Sequence, residues 1–180
     1  MDVKFLTPFV EAAKEVIQAE AKTTIQRGNL SLKRTAVTTE DISVIISLVG
    51  EVEGVVIFSL SIPTALKIVS RVIGQDFEEF DDLARSGIAE LGNVITGRAT
   101  MLLAKNGFNS DISPPTLIIG RDVKVSSVDF SRIVVPLIAD IGEITVHLSL
   151  KERKTAGMQA DFIPAQLDQV KLQQANALDK

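Results

Sequence analysis

The chain has 180 residues, 46% of them hydrophobic but only 4% aromatic, with a net charge of −4 and no Cys, Trp or Tyr. That supports one domain with a core of Ile, Val, Leu and Phe, and it excludes disulfides, thiolate metal sites and cysteine nucleophiles. The single histidine, His147, rules out a multi-histidine metal centre, and the lack of basic runs and exposed rings argues against a nucleic-acid partner.

Residues 6–25, LTPFVEAAKEVIQAEAKTTI, have helical spacing, with Phe9, Ala13, Val16 and Ile17 as the apolar stripe, and predict a helix. Thr7 is the expected N-cap and Pro8 the first helical residue. Residues 29–37, NLSLKRTAV, are expected to be extended. DISVIISLVG and GVVIFSLS, joined by EVE, read as a β-hairpin rich in β-branched residues. A helix follows over PTALKIVSRVIG, with Ser61 as its cap and Gly74 as its stop. QDFEEF leads into a long helix over 79–105, which KNGF ends. SPPTLIIGRDVKV is extended after its Pro pair, and RIVVPLIADIG with EITVHLSLKE forms a second hairpin. The two hairpins resemble each other and suggest a weak internal repeat.

The order is helix, three strands, two helices, three strands, which is α+β, with a mixed or antiparallel sheet and long helices packed on one face. Residues 1–155 form the expected domain, and 156–180 a polar tail with room for a short helix after Pro164. No run of 18 uncharged apolar residues occurs, so no membrane span is expected. No signal-peptide pattern opens the chain, and the expected location is the cytoplasm.

The long helix carries the informative stretch, ARSGIAELGNVITGRATMLL, residues 84–103. It tolerates Gly87, Gly92 and Gly97, although each internal Gly costs about 1 kcal/mol relative to Ala. At 100° per residue, Phe80, Leu91, Ile95 and Leu102 define the expected core face, with Leu83, Val94 and Met101 just beside it. Ser86, Glu90, Asn93 and Gly97, spaced 4, 3 and 4 apart, stand above one another on a different stripe. Glu90 offers an anion, and Asn93 a neutral amide that both donates and accepts. Gly97, with Gly92 near the polar edge, is expected to let another surface come close.

SGIAELGNVITGRA resembles the signature of the CheC/CheX/FliY family of chemotaxis phosphatases: Ser86, three residues, Glu90, two residues, Asn93 and, further along, Pro114 or Pro115. The flanking hairpins also fit that family's CheC-like fold. One site is present. The first helix offers only Glu15 and Gln18, with Gln in place of Asn, a coincidental match, so the chain looks like a single-site, CheX-like member. The resemblance implies hydrolysis of the aspartyl phosphate on a CheY-type response regulator in chemotaxis signalling. It implies Glu90 and Asn93 as the catalytic pair, Asn93 holding the attacking water and Glu90 anchoring the regulator's Lys. Ser86, Gly97 and Pro115 are then partner-binding residues. It also implies a homodimer, no cofactor of the protein's own, and Mg2+ on the partner regulator.

The alternative is a noncatalytic adaptor that binds a response regulator, as flagellar switch proteins of the same fold bind partners. A small-molecule enzyme has no support, because the sequence offers no phosphate-cradling Gly loop, no metal cluster and no nucleophile with a base. His147 is expected in a partly buried or edge strand rather than in catalysis. DFEEFDD is expected to be a solvated helix start rather than a metal site, and Arg98 is expected to reach the rim or pair with a carboxylate.

Overall fold

The computed structural model describes residues 3–33, 37–38, 40–120, 123–125 and 132–153. The predicted tail, 156–180, lies outside them. A 3-10 turn at Val3–Phe5 leads into α1 (Leu6–Ala21), followed by the short strands β1 (Gln26–Arg27), β2 (Ser31–Lys33) and β3 (Val37–Thr38). The first hairpin is β4 (Ile42–Gly50) and β5 (Val52–Leu60). Then come α2 (Ile62–Ile73) and α3 (Asp82–Lys105). The chain continues through β6 (Ser110–Ile112), β7 (Thr116–Ile119) and β8 (Lys124–Val125) to the second hairpin, β9 (Arg132–Ala139) and β10 (Gly142–Glu152).

Both predicted hairpins form, and they lie side by side in the sheet order β1–β9–β10–β5–β4–β6, with β2 beside β1 on β9 and β7 beside β6 on β4. Every recorded strand pair is antiparallel. The internal repeat is therefore architectural. Each half runs helix, three short strands, hairpin, and the halves exchange their outer strands: β1 and β2 complete β9, while β6 and β7 complete β4.

Strand alternation sorts the sheet into two faces. On one, Ile42, Leu60, Ile144 and Leu137 lie in register across four strands, as do Val44, Phe58, Val146 and Val135. These residues join Phe9, Ile17, Ile68, Val69, Ile88 and Ile95 from the three helices in one buried cluster. The other face carries Ser43, Ser59, His147 and Ser149, all buried.

The N-terminus departs from expectation. The N-cap of α1 is Phe5, without a side-chain hydrogen bond, and Pro8 falls inside the first turn rather than at its start. Full burial of Phe5 and its edge-on contact with Phe108, at 5.4 Å between ring centroids, fix this entry instead of Thr7. The α2 signals hold: Ser61 Oγ accepts from Thr64 N at 3.3 Å, and Gly74 ends the helix at φ 79°. No helix among the described residues is long and apolar enough to cross a membrane.

Candidate functional site on α3

Both ends of α3 are fixed. Asp81 caps its start, accepting from Ala84 N at 2.8 Å, so the acidic run before it serves the helix and stays in solvent. Beyond Asn106, the Glu51 carboxylate in the first hairpin turn accepts from Asn109 N at 2.6 Å and from its Nδ2 at 3.2 Å. That ties the exit of α3 to the sheet.

The buried face of α3 is Ala84, Ile88, Gly92, Ile95, Thr96, Ala99 and Leu103. Its centre is rotated by about 70° from the expected one, at 100° per residue. Phe80, Leu91 and Leu102 are partly buried along its edge, whereas Leu83, Val94 and Met101 are exposed. Small residues hold four of these seven places, and the helix packs closely against α1, α2 and the sheet. A Cβ on Gly92 would come within 2.9 Å of Val44 Cγ1 and 3.4 Å of Phe58 Cδ2. Gly92 therefore makes room for the protein's own sheet and not, as expected, for a partner. Gly87 makes room for α2, where Val69 Cγ1 lies 3.3 Å from the position of a Cβ. Only Gly97 faces nearly open space, with Ile112 Cδ1 at 4.0 Å.

Ser86, Glu90, Asn93 and Gly97 occupy one line on the outer side. Ser86 and Glu90 are exposed, and Asn93 and Gly97 half-buried. Ser86 Oγ donates to the Asp82 carbonyl at 2.9 Å, so it is held by its own helix. Glu90 and Asn93, separated by about 4.5 Å along the axis, have no hydrogen-bond or ion-pair partner among the described residues. The neighbouring cations are already engaged. Arg85 bridges Asp82 and the Phe80 carbonyl at 3.2 Å each. Arg98 forms a two-pronged pair with Glu15 of α1 at 2.8 and 2.9 Å, which is the carboxylate pairing expected of it. The outer line thus presents an uncommitted anion beside an uncommitted amide. Pro115, half-buried, lies in the link between β6 and β7, the two edge strands that touch α3.

His147 lies away from this line. It is buried on β10, an interior strand rather than an edge, and burial together with the charges of Arg132 and Lys33 lowers its pKa to about 4. No group of three or more His, Cys, Asp or Glu side chains among the described residues could hold a metal ion.

Comparison with known proteins agrees with this architecture. The model of the family described as "Chemotaxis phosphatase CheX" matches residues 42–137, more than half of the chain, from β4 through α3 into β9. A curated relative from Thermotoga maritima, named CheY-P phosphatase CheX, is 34% identical over 84% of this chain and 98% of its own. Among solved structures, the CheX of a Borrelia burgdorferi CheX–CheY–BeF3–Mg2+ complex is 30% identical, with a TM-score of 0.72 over 84% of this chain and 100% of that one. A CheC-like superfamily protein from Shewanella shares the fold at a TM-score of 0.77 and 24% identity, over 84% and 99% of the two chains. With a family model across the core of its fold and a relative matched along most of its length, the chain belongs to the CheX family of chemotaxis phosphatases.

Proposed function

We propose that the protein hydrolyses the aspartyl phosphate of a CheY-type response regulator, with Glu90 and Asn93 as its catalytic pair. The observation that carries this is the pair itself: a carboxylate and a carboxamide one helical turn apart, both outward, both without partners among the described residues, beside arginines that are already paired. The 34% identical relative named as a CheY-P phosphatase and the 30% identical CheX solved with CheY support the choice of substrate.

The chemistry suits a chain with one histidine and no cysteine. An acyl phosphate is already activated. Water attacks phosphorus, the bond between phosphorus and the aspartyl oxygen breaks, and the products are a free carboxylate and inorganic phosphate. What the enzyme adds is placement of the water in line with that bond. The Asn93 carbonyl oxygen accepts a hydrogen bond from the water and so orients its lone pair. Glu90 accepts from the ammonium of the regulator's Lys and fixes the register of docking. Ser86, Gly97 and Pro115 border the docked surface, and Gly97 leaves room for the approach. The divalent ion belongs to the regulator, in keeping with the Mg2+ of the Borrelia complex. A homodimer completes the reading; β6 and β7, at one border of the sheet, offer a strand edge for it.

The test is release of inorganic phosphate from a phosphorylated CheY-type regulator. The protein accelerates release, and Asn93→Ala lowers that acceleration by about a hundredfold or more while still binding the regulator. If the unaltered protein binds regulators but never accelerates release, the adaptor reading replaces this one.

A further inference from the structure

Leu83, Val94 and Met101 are 51%, 42% and 58% exposed. A merely solvated helix face is better made of Lys, Glu or Ala. With Gly87, Glu90 and Gly97 they form one line, Leu83, Gly87, Glu90, Val94, Gly97, Met101, at intervals of 4, 3, 4, 3 and 4. Three large apolar side chains therefore stand out on either side of Glu90, with an open notch at Gly97, whereas the space at Gly87 is filled by α2. Ile73 of α2, itself 38% exposed, extends the apolar surface beside Gly87, with its Cδ1 3.6 Å from the position of a Cβ there.

The line is about 27 Å long, close to the width of a standard interface burying about 800 Å2 on each partner. Glu90 and Asn93 lie within it. A folded partner that brings a phosphorylated side chain to Asn93 must rest across this helix face, and the apolar line is what it rests on. We propose that Leu83, Val94 and Met101 are the docking ridge for the regulator's receiver domain. They supply affinity and select among regulators through an apolar rim around the regulator's phosphorylation pocket, whereas Glu90 and Asn93 act on the phosphoryl group. The proposal rests on the phosphatase reading for its occupant, and its test separates the two.

The double variant Leu83→Gln with Met101→Gln keeps good helix formers at both positions, and thermal melting checks that the fold is intact. Its Kd for a CheY-type regulator held active by beryllofluoride and Mg2+, and its KM in phosphate release, should each rise about tenfold or more, with kcat within about twofold of the unaltered protein. Val94→Gln, a single change beside Glu90, should move the same way. Unchanged Kd and KM in both variants overturn the ridge. Unchanged regulator binding with a lost self-association, read by sedimentation, also overturns it and assigns the face to a second copy of this chain. An unaltered protein that binds regulator without hydrolysing it removes the phosphatase reading, and the binding measurement alone then decides the ridge. One that neither binds nor hydrolyses overturns both.

Discussion

The three glycines of α3 should respond to the same substitution in three different ways. Replacing an internal helical Gly by Ala gains about 1 kcal/mol in helix propensity. At Gly97 little opposes that gain, because a Cβ meets only Ile112 Cδ1 at 4.0 Å, an ordinary contact. Gly97→Ala should stabilise the protein by about 1 kcal/mol, which raises Tm by about 2–4 °C in a chain of this size. At Gly87 the nearest atom is Val69 Cγ1 at 3.3 Å, and a slight adjustment should cancel the gain. At Gly92 the new methyl would sit 2.9 Å from Val44 Cγ1. Val44 is β-branched and lies in the sheet, so it cannot swing away, and overpacking of this kind costs about 1–3 kcal/mol. Gly92→Ala should therefore lose up to about 2 kcal/mol net. Urea unfolding of the three single variants reads the order directly: Gly97→Ala above the parent, Gly87→Ala level with it, Gly92→Ala below it. Under the proposed docking, the same variants in phosphate release should reverse the first rank, because a methyl at Gly97 would stand in the regulator's path while stabilising the fold. Equal shifts at all three sites, or a stable Gly92→Ala, would refute the reasoning.

Acid should weaken the fold in two stages. His147 has a folded pKa near 4, below its unfolded value of about 6.5, so the unfolded chain binds the extra proton and stability falls as pH drops between those values, by up to about 3 kcal/mol in all. His147→Gln should flatten that part of the urea-midpoint curve and leave the lower part intact; parallel curves from pH 7 to 4.5 would disprove this. Below that window Asp140 takes over. The Arg71 guanidinium and the Thr23 hydroxyl hold its pKa at about 2, so its contribution is present above the ordinary carboxylate range and is lost as pH falls toward 2. Asp81→Ala should cost about 1 kcal/mol of stability by removing the cap of α3, seen as a lower urea midpoint. The pair Glu15 and Arg98 is partly exposed, with side chains 54% and 32% accessible, and a double-mutant cycle should give a coupling below about 1 kcal/mol.

Where the chain announces its structure through local chemistry, the sequence is a reliable guide. The hairpins follow from runs of Val and Ile broken by short turns, and α2 from Ser61 before it and Gly74 after it. The stripe Ser86, Glu90, Asn93, Gly97 depends only on helical spacing, so it was readable before any packing was known. The core face of α3 was not. Large side chains suggest inward positions, but this helix packs so closely on its neighbours that Ala84, Gly92 and Ala99 take buried places and Leu83, Val94 and Met101 are left outside. Hydrophobicity points the wrong way there, and the signal that could have corrected it is the run of small residues at intervals of four and three. The short strands β1, β2 and β6 have two or three residues each, too few for any period to register. Their partners are set by the exchange between halves, which nothing local encodes.

That exchange governs how the chain must come together during synthesis. The first hairpin is complete once residue 60 has been made, yet β4 receives β6 and β7, and β5 receives β10, only after residues 110–152 follow. Until then both borders of a strongly apolar ribbon stay unsatisfied, and β1 and β2 wait for β9. Assembly is therefore non-local and slow relative to a protein built from consecutive contacts, and the nascent first half is the species most exposed to aggregation. A break in the surface loop between α2 and α3 would leave two pieces, each holding the other's missing borders. They should acquire structure by finding one another rather than singly.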